Sequence, residues 1–288
     1  MTRFLFWNVH KNEALKESLV ALVHERRIDV LVLAECPNSF KNAGLLPELN
    51  RVRADEYHYS PCAERGYSGI VIYTRYASAI SPIPGADVAR CSFRRIQLPG
   101  GKLPVLIAAA HLPSKFNRSS EMQREDAREL AEAIAEVEDQ TQIYRTLLIG
   151  DMNCDPFEPG MIWAHCLHAV MTRQIARGSN PQYPRTRQTE KVRYRTFYNP
   201  MWRHYGEMNG LSSGSHYGTF YYDKRGRENL FWHILDQALL RAELLAVFRD
   251  DSLEIVTRIG DTSLLTKSGI PDKEHFSDHL PITLELEL

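Results

Sequence analysis

Six stretches of the chain each set an acid, an amide or an imidazole at the edge of an apolar run or, for Asp236, inside one. FLFWNVH carries Asn8, DVLVLAEC carries Glu35, and PVLIAAAHLPS carries His111. TLLIGDMNCDP carries Asp151 and Asn153, FWHILDQALL carries Asp236, and FSDHLPITLEL carries Asp278 and His279. Carboxylates and amides offer oxygen to a hard cation, and imidazoles move protons near neutral pH. Taken singly, most of these have plain readings: Asn8 as a turn residue, Asp151 behind Gly150 as a turn or cap, His111 as an ordinary strand end. Asp236 does not, because an ionised acid flanked by Ile, Leu and Ala is costly to bury without a partner. Together the six predict one shared site.

The elements that must position them are short apolar strands. Runs over 3–9 and 28–34 read as strands, the second buried on both faces. Between them Leu15, Leu19, Leu22 and Val23 share a helical face behind Asn12 as N-cap. Further strands are expected over 69–74, 93–98, 105–110, 146–149, 219–222, 234–240 and 282–288. A helix is expected over 120–138, with Ala127, Leu130, Ala131, Ile134 and Val137 inward and Ser120–Gln123 as its capping box. Strands that follow one another directly, mixed with strand–helix–strand units, point to an α/β sandwich with mixed sheets. The stretch 172–218 has little aliphatic periodicity and reads as a long surface excursion from a single domain spanning 1–288.

Bulk properties exclude little. The net charge is -1 over 288 residues, so there is no global electrostatic argument for nucleic acid or an anionic membrane. No apolar run approaches the roughly 20 residues that span a bilayer, and the amino-terminal segment reads as a strand, not a secretory signal. Five cysteines without a CxxC pair predict inert packing thiols in a reducing, cytoplasmic compartment rather than disulfides or a thiolate metal site.

The motifs WNV, LAE, GYSGIVIYTR, AHLPS, GDMN, LDQALL and SDHLPI, in this order, resemble the endonuclease/exonuclease/phosphatase superfamily over nearly the whole chain. The resemblance implies a four-layer α/β/β/α sandwich and a Mg²⁺-dependent phosphoester hydrolase, with Mn²⁺ as a substitute. It implies metal binding by Asn8, Glu35, Asp151 and Asp278, with Glu35 as the principal carboxylate. It assigns Asp151 to water activation, a second metal or the leaving group, Asn153 to the phosphate or nucleophile, and Asp236 to orienting His279. The general base stays open between His279 and Asp151. His111 resembles the deoxyribonuclease, sphingomyelinase and phosphatase branches, whereas the exonuclease III branch usually has Tyr there.

The excursion adds a local clue to substrate. Between Thr172 and Thr196 seven basic residues face one acid, Glu190, and Tyr183, Tyr194, Phe197, Tyr198, Trp202 and Tyr205 interleave with and follow them. Arginine forks suit phosphate oxygens and aromatic faces suit exposed bases. Arg185, Arg187, Arg193 and Arg195 are therefore expected to bind substrate, with DNA or RNA as the expected partner. The alternatives are a small or lipid-linked phosphoester, or a solvated basic loop.

Overall fold

The computed structural model describes residues 1–51, 56–61, 69–100, 103–115, 118–178, 186–189, 192–205, 218–224 and 231–288. Two mixed sheets stack face to face. The six-stranded sheet has the order β16-β19-β1-β2-β4-β3, built from β1 (Thr2–Asn8), β2 (Val30–Ala34), β3 (His58–Ser60), β4 (Ile70–Thr74), β16 (Phe248–Ile255) and β19 (Ile282–Leu286). The seven-stranded sheet has the order β5-β6-β7-β8-β15-β12-β9. Its strands are β5 (Ile80–Pro82), β6 (Cys91–Ile96), β7 (Val105–His111), β8 (Thr146–Asp151), β9 (Ala169–Val170), β12 (Phe197–Tyr198) and β15 (Asp236–Arg241). Among the described residues three two-stranded ribbons complete the strands: β10 (Thr186–Thr189) with β11 (Val192–Arg195), β13 (Phe220–Tyr222) with β14 (Phe231–His233), and β17 (Arg258–Ile259) with β18 (Thr262–Ser263).

Strand alternation sorts the core into layers. On β7 and β8, Ile107, Ala109, Leu147 and Ile149 join the large cluster shared with β1 and β2. Their neighbours Leu106, Ala108, Ala110 and Leu148 face the other way, onto Ala127, Leu130, Ile134 and Val137 of helix α3 (Ser120–Thr141). Helix α1 (Lys16–Glu25) covers the first sheet with Leu19, Leu22 and Val23. The result is the expected α/β/β/α sandwich, with short helices α2 (Leu46–Leu49), α4 (Pro159–Ile162) and α5 (Arg173–Arg177) around it.

Several local expectations shift. Ser119, not Ser120, caps α3, its Oγ accepting from the Met122 N–H, while Gln123 turns inward to donate to the Asn153 carbonyl. Asp236 opens β15 and is not inside it. The stretch 172–218 is only partly a surface excursion. Phe197, Asn199 and Met201 are buried, and β12 pairs with β15 inside the second sheet. Its short strands lacked the length that periodicity needs. Among the described residues, no helix is long and apolar enough to cross a membrane. Cys36, Cys91, Cys154 and Cys166 are buried free thiols; burial pushes the Cys166 thiol up to about 11 and that of Cys154 higher still, as inert packing residues require. Cys62 lies outside the described residues.

Candidate active site

Register brings the polar strand ends into one row. In the second sheet His111 pairs with Asp151 across the parallel β7–β8 ladder, and Asp236 pairs with Asp151 across the antiparallel β15–β8 ladder. Three neighbouring strands therefore present His111, Asp151 and Asp236 side by side. Gly150 is required for this packing, because a Cβ there would stand 1.9 Å from the Ala110 carbonyl oxygen. From the first sheet the parallel strands β1 and β2 end at Asn8 and, one residue past Ala34, at Glu35. The two sheets meet where Asn8 Nδ2 donates to Asp151 Oδ2 at 3.0 Å and to Glu35 Oε1 at 3.3 Å. Glu35 and Asn153 both hold left-handed backbone conformations, with φ of 50° and 48°. For residues other than glycine that conformation costs roughly 1–2 kcal/mol, and such strain clusters at functional sites.

Asp236 and His279 form a buried pair. His279 Nδ1 lies 2.8 Å from Asp236 Oδ2, and its Nε2 is 3.9 Å from Asp151 Oδ2. Its backbone is fixed on both sides. The Trp7 indole donates to the His279 carbonyl at 2.8 Å, and the His279 N–H donates to Ser277 Oγ, which itself donates to the Asn8 carbonyl. Burial pushes the Asp236 carboxyl up, with the neighbouring His279 charge offsetting part of the shift. Burial alone would pull His279 down, but the carboxylates of Asp236 and Asp151 outweigh it and hold the imidazolium above its ordinary range. Both directions describe one unit that keeps its proton through neutral pH.

The remaining expected residues are placed as follows. His111 Nε2 stands 3.5 Å from Glu35 Oε1 and 3.8 Å from Asp151 Oδ2. Asn153 spends its side-chain amino group on the Leu112 carbonyl and its backbone N–H on Asp151 Oδ1, so it shapes the loop that aims Asp151. Asp278 pairs with His10 at 3.3 Å on the outer side, where its Oδ1 makes no hydrogen bond. Asn8 turns its amino group, not its oxygen, to the two carboxylates, while its Oδ1 accepts from the His10 N–H. Adjacent carboxylates need a donor between them, and the amide supplies it.

The donor set fits a divalent cation. Glu35 Oε1 and Asp151 Oδ2 converge on a single amino group, and hard cations such as Mg²⁺ prefer such oxygen ligands. Asp151, Asp236 and His279 also offer ligand atoms within 4.8 Å of one another and could hold a metal ion. Either seat would take over hydrogen-bonded atoms, those held by the Asn8 amide at the first and that joining Asp236 to His279 at the second, and only the first is made of carboxylate oxygens alone.

Of the four arginines, Arg195 is placed away from this site. Arg195 precedes β12, where Phe197 pairs with Arg241, five residues along β15 from Asp236. At about 3.3 Å per residue that is the opposite end of the strand. There the Arg195 guanidinium lies over the Tyr144 ring at 3.9 Å and 4.0 Å from Glu243. Arg187 and Arg193 fall on the β10–β11 ribbon that leads into it, and Arg185 lies outside the described residues. Composition could not show to which end of the sheet the ribbon attaches.

Sequence reasoning passed over several residues around the site. Gln237 bridges the Cys154 and Ile234 carbonyls and accepts from Asn199, all in the core. Thr219 Oγ1 accepts from the Leu235 and Asp236 N–H groups, setting the start of β15. Asp155 and His233 form a second buried pair, although both stood in view within GDMNCDP and FWHILDQALL.

A two-sheet α/β sandwich with an Asp–His pair beside converging carboxylates defines a class of hydrolytic sites. The chain belongs to the Endonuclease/Exonuclease/phosphatase family, whose model matches residues 5–279. No curated protein sequence matches it significantly. Its fold is similar to the endonuclease domain of TRAS1, a telomere-specific non-LTR retrotransposon (12% identity, 100% of this chain and 99% of that one, TM-score 0.55). It is also similar to an endonuclease/exonuclease/phosphatase family protein from Leptotrichia buccalis C-1013-b (15% identity, 100% of both chains, TM-score 0.58). An AP endonuclease from Archaeoglobus fulgidus shares the fold as well (14% identity, 100% of both chains, TM-score 0.54).

Proposed function

We propose that this protein is a Mg²⁺-dependent phosphodiesterase acting on nucleic acid. The observation that carries the reading is the His279 imidazole bridging Asp236 at 2.8 Å and Asp151 at 3.9 Å, beside the Glu35–Asn8 pair of the other sheet. A phosphodiester is anionic, so charge must be neutralised before water can attack. A divalent cation held by Glu35 and Asp151 would supply Lewis-acid stabilisation at a phosphate oxygen when bound. The protein's own groups do the rest. His279, held protonated by its two acids, donates to a non-bridging phosphate oxygen whose charge grows in the transition state. Asp151, with one oxygen fixed by the Asn153 N–H, takes the proton of the attacking water. His111, between Glu35 and Asp151, is placed to donate to the leaving oxygen.

Nucleic acid as substrate is supported by the endonucleases that share the fold and by aromatic rings at the edge of the site. The deciding assay sets purified protein with Mg²⁺ against plasmid, single-stranded DNA, RNA, an inositol phosphate and an aryl phosphodiester. Turnover of the nucleic acids that EDTA abolishes is expected. Exclusive turnover of the inositol phosphate would overturn the substrate, and hydrolysis persisting after exhaustive chelation would overturn the mechanism.

A further inference from the structure

A second buried Asp–His pair stands beside the first. Asp155 Oδ2 lies 2.7 Å from His233 Nδ1, close to the 2.8 Å of the Asp236–His279 pair. The other oxygen, Oδ1, accepts from the Tyr205 hydroxyl at 2.8 Å and the Ile234 N–H at 2.9 Å. Lys115 Nζ comes within 3.9 Å of Oδ2 while pairing with Glu158 at 2.5 Å. Burial would raise the Asp155 carboxyl, but these donors, His233 foremost, hold it below its ordinary value. An ionised Asp155 only accepts, so Nδ1 of His233 carries the proton and Nε2 is left for another partner.

Register decides where that nitrogen lies. Phe220 on β13 is the direct partner of His233 on β14, and it also forms a bridge with His279. Directly opposed residues project from the same face of a sheet, so His233, Phe220 and His279 form one row. The Phe220 ring centre is 4.8 Å from that of His279 and 6.4 Å from that of His233. The His233 side chain is only 10% exposed, and its Nε2 makes no hydrogen bond among the described residues. Unlike the wholly buried unpartnered ring nitrogen of His204, that atom keeps access to a molecule from outside, and fixing a loop would need only Nδ1. Nearby, the exposed Phe157 ring packs edge-on against Tyr205 at 5.6 Å. Apolar ring faces beside one oriented polar atom suit a base and its sugar.

We propose that His233 is a specificity-determining residue whose Nε2 hydrogen-bonds the nucleoside attached to the scissile phosphate, with Asp155 and Tyr205 as the residues that position its ring. The proposal rests on the nuclease reading above and deepens it.

Two variants separate this role from a structural one. In His233→Asn the amide reaches where Nδ1 sits, keeping the Asp155 contact and removing the outer nitrogen. In His233→Gln the longer amide reaches where Nε2 sits and gives up Asp155. The probes are the dinucleotide TpT and bis(4-nitrophenyl) phosphate. Binding is followed by NMR in EDTA, where no turnover occurs, and kcat/KM is measured with Mg²⁺. The expected result is a wild-type preference for TpT that falls about tenfold in His233→Asn and is largely kept in His233→Gln, the size expected when one buried hydrogen bond is lost. In the unaltered protein the Nε2 resonance of His233 should move on adding TpT and not on adding the aryl ester. A structural role gives the reverse order, with His233→Asn resembling wild type and His233→Gln losing both substrates equally with a lower melting temperature. That order, an unchanged preference in both variants, or an unmoved Nε2 resonance would overturn the proposal. Failure of the phosphodiesterase reading shows separately, as no metal-dependent hydrolysis of either ester, while the EDTA titrations still decide the His233 contact.

Discussion

Asp151 and Asp236 face each other directly across the β8–β15 ladder, both buried, with the His279 imidazole between them. Like charges opposed on adjacent strands repel, so the pair depends on the proton that His279 carries. The chemistry and the stability of this part of the fold are therefore linked through one side chain.

Replacing His279 with Ala should lower kcat by about 10²–10⁴-fold, the usual contribution of a positioned acid–base group, with Asp236→Asn nearly as damaging. Stability should follow a defined pH course. A histidine whose folded pKa is raised adds stability that is fully present below its unfolded value of 6.5 and lost as pH rises through the folded one. The stability gap between wild type and His279→Ala should thus shrink towards alkaline pH. Denaturant melts at pH 6, 8 and 10 measure it, and a gap that widens would refute the assigned charge.

Mg²⁺ should raise the melting temperature of the wild type and not that of Glu35→Gln. At a hundredfold excess over the dissociation constant a ligand adds about 2.7 kcal/mol. For a chain of this size that amounts to roughly 5–10 °C. Differential scanning fluorimetry in EDTA and in Mg²⁺ reads this without any assay of turnover. An equal shift in both proteins would move the metal seat away from Glu35.

The Asp155 carboxylate should contribute to acid stability. Its folded pKa is lowered, so its contribution is present above the unfolded value of 3.8 and lost as pH falls through the folded value. Asp155→Asn should be less stable than wild type at pH 6, and the difference should narrow as pH falls below 3.8 and through the folded value. A difference independent of pH would mean that packing, not charge, holds the pair.

Gly150→Ala should damage the fold at the strand that carries Asp151. Its Cβ would meet the Ala110 carbonyl at 1.9 Å, and backbone cannot yield as a flexible side chain does. Overpacking of this kind costs about 1–3 kcal/mol, or roughly 2–10 °C in melting temperature. A variant that melts with the wild type and keeps its activity would show that the β7–β8 spacing is softer than drawn.

Arg195→Ala should leave the turnover of small diesters unchanged and lower stability by about 0.5–1 kcal/mol through the lost contact with Tyr144. Its effect on DNA binding is read from the salt dependence. A log–log slope shallower by about 0.7–0.9 would mean that Arg195 neutralises one phosphate far from the cut, and an unchanged slope would confine it to its structural contact.

The polar residues at strand ends are readable in the sequence, for a local reason. A strand of alternating or continuous apolar residues announces itself within five to seven positions, and a charge at its edge interrupts a pattern that burial otherwise enforces. Asn8, Glu35, His111, Asp151, Asp236 and His279 were all found this way, and they do converge. The mixed-sheet sandwich followed from the succession of strands and helices, and its four layers from the family resemblance. Non-local pairing was not readable. That His111, Asp151 and Asp236 share a row is a matter of register between strands whose aligned residues lie 40 and 85 positions apart in the chain. The orientation of the Asn8 amide follows from two carboxylates brought in by different sheets. The arginines of the excursion read as a substrate grip because composition carries no direction, and only the β12–β15 pairing put Arg195 at the far end of the sheet. His233 and Asp155 passed as ordinary residues because each alone is one polar side chain near a strand. They became a pair when the loop after β8 and the ribbon β13–β14 were folded against each other, since a buried acid and a buried imidazole reveal their roles only through the partner that tertiary structure supplies.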